Sequence, residues 1–280
     1  MEKERNSVEI FGVEFYIDNA NEEALIIDTA QADYLFARKG IVVDIYNIKG
    51  LEKLINLRKL VLNLGGISKM QCLDQNVNLQ YLSLSYNYIN TIEGIDHLKK
   101  LEFLDLQYND IQKIEGLDNL ANLKGLNLSN NKISRITNLN SLKNLEVLSL
   151  GYNQIKKIEG LDELENLTRL DLSVNHIKQL EGLEHLYNLK RLNLSDNQIE
   201  EISGLLNLRK LRWFSLNGNP IIELKGIKHL KALQYLDIKN CKMTNKPNWS
   251  HLSNLRCITS DFYCGDPKVE KKSYKKTCRF

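Results

Sequence analysis

The sequence predicts an α/β repeat protein. It reads as a right-handed solenoid, with a parallel sheet on its concave side, extended or 3-10 segments on its convex side, and about nine to ten coils. Three observations predict it. Asn87, Asn109, Asn131, Asn153, Asn175, Asn197 and Asn219 recur every 22 residues without an insertion. Apolar residues hold fixed places around each Asn: Leu101, Leu104 and Leu106 precede Asn109, and Ile111, Ile114, Leu117 and Leu120 follow it. Glycines such as Gly94, Gly116, Gly160 and Gly182 punctuate the return segments in the same frame. A repeat array of this kind is one continuous body, because each unit buries its apolar face only on its neighbours.

Residues 1–40 stand outside the frame and read as an N-terminal cap, since an open solenoid end leaves apolar core and sheet edge uncovered. Val8, Ile10, Val13, Phe15 and Ile17 alternate around Gly12, which predicts one or two short strands. Leu25 to Ile27 predicts another. Residues 29–39 have helical spacing, with Thr29 as N-cap and Gly40 as stop. The solenoid is assigned to 41–262. It starts weakly, with Val43 and then Gly65 in the Asn place, runs through full repeats from Leu79 to Leu230, and ends with Cys241 in the Asn place and a partial strand at Leu255 and Ile258. Atypical terminal repeats are what capping requires. Residues 263–280 form a basic tail.

Within each coil, Leu104 and Leu106 have a period of two and point inward from one strand. The Asn amide both donates and accepts, so a stacked column of them can satisfy backbone groups that the tight turn buries. The return path is too short for a full α-helix, which leaves extended or 3-10 chain.

The net charge is +3, and the excess is local: 268–280 carries six basic residues against Glu270, leaving 32 basic and 34 acidic residues elsewhere. A near-neutral body argues against a general polyanion binder. The longest early apolar run is Ala24 to Ile27, far from a secretion signal, and nothing approaches the roughly 18 apolar residues of a membrane span. Five cysteines without a Cys-x-x-Cys predict free thiols in a reducing compartment, cytoplasmic or nuclear, with a bridge among Cys257, Cys264 and Cys278 as the alternative.

The recurring phrase I-E-G-L-(D/E)-x-L-x-N-L-x-x-L-x-L-S-x-N-x-I contains the leucine-rich repeat signature. Over roughly residues 45–245 it resembles the 22-residue subfamily typified by the nuclear regulatory subunit of protein phosphatase 1. Axonemal dynein light-chain and some centrosomal proteins share that repeat type. Bacterial internalins also use 22-residue repeats, usually with Pro where this chain has Glu-Gly, as at Glu115-Gly116. The resemblance implies a regulatory or targeting subunit, with a phosphatase catalytic subunit as one candidate partner.

Function must use the outward strand positions, since the inward ones build the core. Three columns emerge. The first holds Tyr81, Phe103, Arg169, Arg191, Trp213 and Tyr235; the second Asp105, Asp171 and Asp237; the third, just before Asn, Tyr86, Tyr108, Tyr152 and Phe262. Exposed Trp, Tyr and Arg on a rigid surface are the usual material of interface hot spots. This predicts a binding scaffold, monomeric, that takes a protein partner across its concave face. Two alternatives stand beside it: rings stacked only for cross-strand stability, and an adaptor whose basic tail binds nucleic acid or acidic lipid. His97, His185, His229 and His251 share one convex column, but its other members do not complete a metal set. No phosphate loop, nucleophile elbow or zinc-protease motif occurs, so neither an enzyme nor a cofactor is expected.

Overall fold

The computed structural model describes Ser7–Ile10, Val13–Tyr16, Ala24–Ile27, residue 45 and residues 48–63, 66–244, 250–261 and 264–265. The chain forms two compact units, 1–133 with 137–145, and 134–136 with 146–280. The helix expected at 29–39, the Asn places at Val43 and Gly65, Phe262 and the basic tail beyond residue 265 lie outside the described residues.

In the first unit, β1 (Ser7–Ile10) and β2 (Val13–Tyr16) make an antiparallel hairpin. Glu9 and Lys49 join it to the first coil through two backbone hydrogen bonds of 2.9 and 3.0 Å. Strands β3 (Ala24–Ile27), β4 (Lys59–Leu62), β5 (Tyr81–Ser83), β6 (Phe103–Asp105) and β7 (Gly125–Asn127) follow, each parallel to the next. In the second unit, β8 (Val147–Ser149), β9 (Arg169–Asp171), β10 (Arg191–Asn193), β11 (Trp213–Ser215), β12 (Tyr235–Ile238) and β13 (Cys257–Ser260) are likewise parallel. The short β14 (Cys264–Gly265) turns back antiparallel onto β13 and pairs its edge. From β4 to β13 each strand starts 22 residues after the last. That matches the expected parallel solenoid of nine to ten coils.

The core is the set of inward leucines and isoleucines. Leu104, Leu106, Ile111, Ile114, Leu117 and Leu120 are all buried, and each such side chain contributes about 1.5–3 kcal/mol on burial. Phe214 fills the same inward place in β11 and is fully buried. The Asn column then ties coil to coil. Asn109 accepts a hydrogen bond from Ile89 N–H at 2.9 Å and donates to the carbonyls of Leu84 and Leu106 at 2.9 and 3.0 Å. Asn131 repeats this in the first unit, and Asn175, Asn197 and Asn219 in the second. One amide thereby satisfies three backbone groups that water cannot reach. Cys241, in the Asn place, keeps only weak links, Sγ to Leu216 O at 3.5 Å and a contact with the Asn219 backbone.

Two expectations are corrected. The α/β class does not hold: the described residues contain no α-helix, and their one bounded 3-10 helix is Leu51–Lys53. Return segments, expected as extended or 3-10 chain, carry isolated i→i+3 turns, such as Leu120 N–H to Leu117 O at 3.0 Å. The reason is local. Gly116 sits at φ 69°, which ends any helical turn, and a Cβ there would lie 2.1 Å from the Ile92 carbonyl oxygen. Free thiols throughout do not hold either. Cys72 and Cys241 are free, but Cys257 is disulfide-bonded, its partner lying outside the described side chains. The return of β14 onto β13 folds the cysteine-containing C-terminal segment back against the strand that carries Cys257.

Candidate functional site

The outward positions of the sheet fall into the three expected columns, each held by the strand register. In the first unit the first column is a row of rings. The Lys59 ammonium lies 5.0 Å from the Tyr81 ring centre, and Tyr81 packs against Phe103 at 6.3 Å, tilted by 35°. Phe103 lies over the bare backbone of Gly125, where a Cβ would come within 2.6 Å of the ring. Burial, and then the carboxylate of Asp105, raise the Tyr81 phenol above its ordinary range. In the second unit the same column carries Arg169 beside Arg191 on neighbouring strands. The Arg191 guanidinium sits 5.1 Å from the Trp213 ring, and Trp213 stacks on Tyr235 at 5.3 Å and 10°. The Trp213 indole N–H is covered and has no partner among the described residues.

The second column does local work. Asp105 Oδ1 accepts from Gln107 N–H at 3.2 Å, Asp171 Oδ1 from Ser173 N–H at 2.9 Å, and Asp237 Oδ1 from Lys239 N–H at 3.2 Å. Asn127 and Asn193 do the same for Ser129 and Ser195. These are Asx turns that shape the exit from each strand. Asp237 also accepts a very short hydrogen bond from the Thr259 hydroxyl. Burial raises the Asp105 carboxyl above the usual carboxylate range, partly offset by the Gln107 N–H, Asn127 and Ser83. Sequence reading placed these aspartates with the partner-binding residues; their first contacts are with their own turns.

The third column has a conformation that the sequence reading did not foresee. In the first unit Tyr86, Tyr108 and Asn130 have φ of 57°, 54° and 55°; in the second, Tyr152, Val174, Asp196, Gly218 and Asn240 have 56°, 51°, 54°, 72° and 55°. Among the described residues every coil demands a left-handed residue here. Gly, Asn and Asp accept that readily, whereas other L-residues pay about 1–2 kcal/mol each. Tyr86, Tyr108 and Tyr152 are 46%, 44% and 57% exposed, so burial does not compensate them. Tyr86 and Tyr108 stack at 4.3 Å and 11°. The signal was present in the sequence as Gly218 and three Asx residues in the same column.

A second asparagine column was also missed. Asn78, Asn122 and Asn144 in the first unit, and Asn188 and Asn254 in the second, each donate to the carbonyl 23 residues earlier at 2.7–2.9 Å. Its members recur at multiples of 22 residues and mark the turn that re-enters the sheet. The histidine column is structural in part: His97 Nε2 meets Leu73 O at 3.0 Å. Burial, and then Lys231, lower the His251 imidazole below its usual value. Among the described residues no cluster of His, Cys, Asp and Glu could hold a metal ion, and no helix is long and apolar enough to cross a membrane.

Comparison with known proteins agrees with this geometry. Residues 77–119, 121–163 and 165–207 match the family model for leucine rich repeats (2 copies). An internalin (inlF) from Listeria monocytogenes superposes with a TM-score of 0.63 at 24% identity, over 83% of this chain and 75% of that one. Internalin C2 from the same organism gives 0.62 at 28% identity, over 70% and 88%. A leucine-rich repeat protein from Leptospira interrogans gives 0.54 at 26%, over 77% and 74%. No curated protein matches by sequence. The matched segments are leucine-rich repeats, and internalins stand among the structural neighbours.

Proposed function

We propose that this chain is a non-enzymatic scaffold that binds a protein partner on the outer face of its sheet. One observation carries the reading: Tyr86 and Tyr108 occupy left-handed positions that suit Asn or Gly, yet they are exposed and stacked on each other. Backbone strain held at an exposed aromatic pair is a pointer to recognition, because nothing in the fold needs the rings. Asn130 demonstrates that the turn closes without one. Leucine-rich repeat proteins generally act as protein-interaction scaffolds, which supports the class of activity. The face offers Tyr81, Phe103, Tyr86 and Tyr108 in the first unit, and Arg169, Arg191, Trp213, Tyr235 and Tyr152 in the second. A regulatory role is part of the proposal, with a phosphatase catalytic subunit as one partner to try, on the strength of the Ile-Glu-Gly-Leu phrase.

The test is affinity capture from the source cell with wild type, Tyr86→Asn/Tyr108→Asn and Trp213→Ala/Tyr235→Ala. A specific partner should be lost with at least one pair. Retention of every specific partner by both variants would sink the reading. A purified phosphatase catalytic subunit, assayed in the same format, decides the narrower idea.

A further inference from the structure

In the second unit, charge is sorted across the sheet. Four successive segments lead into β10 to β13: residues 186–192, 208–214, 230–236 and 252–258. Together they hold seven basic residues and no acidic one. Lys190, Arg191, Arg209, Arg212 and Arg256 are all exposed, and no described ion pair includes any of them. Parallel pairing fixes their spacing: Arg212 N–H bonds Lys190 O at 2.9 Å, so these two side chains leave adjacent coils, about 4.8 Å apart. The corresponding segments of the first unit are mixed, with Lys124 paired to Glu102 at 2.8 Å.

At the other ends of the same strands the sign reverses. Asp196, Asp237 and Asp261 stand there against Lys239. The ring pair Trp213–Tyr235 lies beside the basic margin, with Arg191 over the indole. Unpaired like charges this close repel one another and gain from any anion laid along them.

We propose that this margin docks an acidic protein segment, whose carboxylates meet Lys190, Arg191, Arg209, Arg212 and Arg256 and whose apolar residue covers the Trp213–Tyr235 shelf. The inference rests on the scaffold reading and gives it a partner chemistry. A peptide is favoured over a nucleic acid strand because the aspartates lie about 10 Å away across a three-residue strand, within a Debye length. A continuous polyanion would meet that repulsion along its whole length, whereas a peptide can space its charges. Guanidinium groups add planar, two-pronged pairing to carboxylates.

The experiment selects displayed random peptides on the full chain. Wild type should enrich Asp- and Glu-rich peptides bearing an aromatic or aliphatic residue. Affinity of an enriched peptide should fall about tenfold or more in Arg191→Glu/Arg212→Glu, weaken with salt, and stay unchanged in Lys99→Glu/Lys113→Glu, an equal charge reversal on exposed residues of the first unit. Circular dichroism checks that the charge-reversed chain folds; Arg191→Gln/Arg212→Gln, with a smaller loss expected, replaces it otherwise. Neutral or basic winners, or acidic winners indifferent to the arginine variants, overturn the proposal. Winners that depend only on Tyr86 and Tyr108 overturn it and leave the scaffold reading standing. Single-stranded oligothymidylate that binds wild type more tightly than any peptide, and loses binding on charge reversal, overturns it in favour of nucleic acid. Failure to enrich any peptide counts against both.

Discussion

Both units build a cation–ring–ring row on the first outward column, and they support it differently. In the first, Lys59 faces Tyr81, Tyr81 faces Phe103, and Phe103 rests on Gly125. A second ring pair, Tyr86–Tyr108, stands on left-handed backbone. In the second unit Arg191 faces Trp213, and Trp213 stacks on Tyr235, on ordinary strand backbone without a strained ring pair beneath. The difference teaches where stability and recognition pull apart. Rings in the second unit gain from cross-strand stacking and from the guanidinium. The Tyr86–Tyr108 pair gains its stack at the expense of the turn.

Perturbing each unit sharpens that contrast, and the largest effect belongs to what they share. Asn109→Ala and Asn197→Ala each strand buried backbone groups in two coils. Either should lower unfolding free energy by about 3 kcal/mol in denaturant titration, alike in both units; a much smaller loss in one would mean its ladder is not holding the coils. Gly125→Ala comes next. The added methyl must displace the Phe103 ring, and an overpacked contact of this kind costs about 1–3 kcal/mol. Near-ultraviolet circular dichroism should change with it.

Trp213→Ala/Tyr235→Ala removes a favourable stack and a cation–ring contact, so it should destabilise by about 1–2 kcal/mol. Tyr86→Asn/Tyr108→Asn should do the opposite. It relieves about 1–2 kcal/mol at each left-handed residue and loses about 0.5–1.5 kcal/mol of stacking. If both pairs shift stability in the same direction, the contrast between the units collapses.

The smallest effect is at Cys241. Burial pushes its thiol up to about 11 from 9.0, with Asp261 and Asp237 adding to the rise and the Asn219 backbone opposing it. The folded state therefore disfavours the thiolate. The contribution is intact below pH 9 and declines as pH rises towards 11. The group is only partly buried, so after allowing for solvent screening the loss should be about 1 kcal/mol. Cys241→Asn restores the ladder amide and should remove that alkaline decline.

Much of the fold was legible because a strict period leaves few choices. Leu104 and Leu106 announced the inward face, and Asn109 with its equivalents announced the turn, before any coordinates. The return segments read as extended or 3-10 chain, and their exact form was not legible. Apolar residues every three positions suit a helix and a chain of separate turns alike, and the glycine at Gly116 decides for turns through a close approach to Ile92 O. The outward columns were legible as positions but not as roles. Asp105, Asp171 and Asp237 look like binding groups until the N–H two residues on is placed. Tyr86 and Tyr108 show no strain in a string of letters, because tyrosine says nothing of φ; only their column mates Asn130 and Gly218 do. Pairing of Cys257 is a single event near the end of the array, outside the repeat and hence outside its periodicity.

The most direct test needs no partner in hand. Equilibrium denaturation of wild type and Tyr86→Asn/Tyr108→Asn measures whether the exposed ring pair serves the fold or burdens it. The account predicts that the variant is the more stable protein, by about 1 kcal/mol or more. A variant less stable than wild type would contradict it, and would make the stacked tyrosines part of the structure's own support.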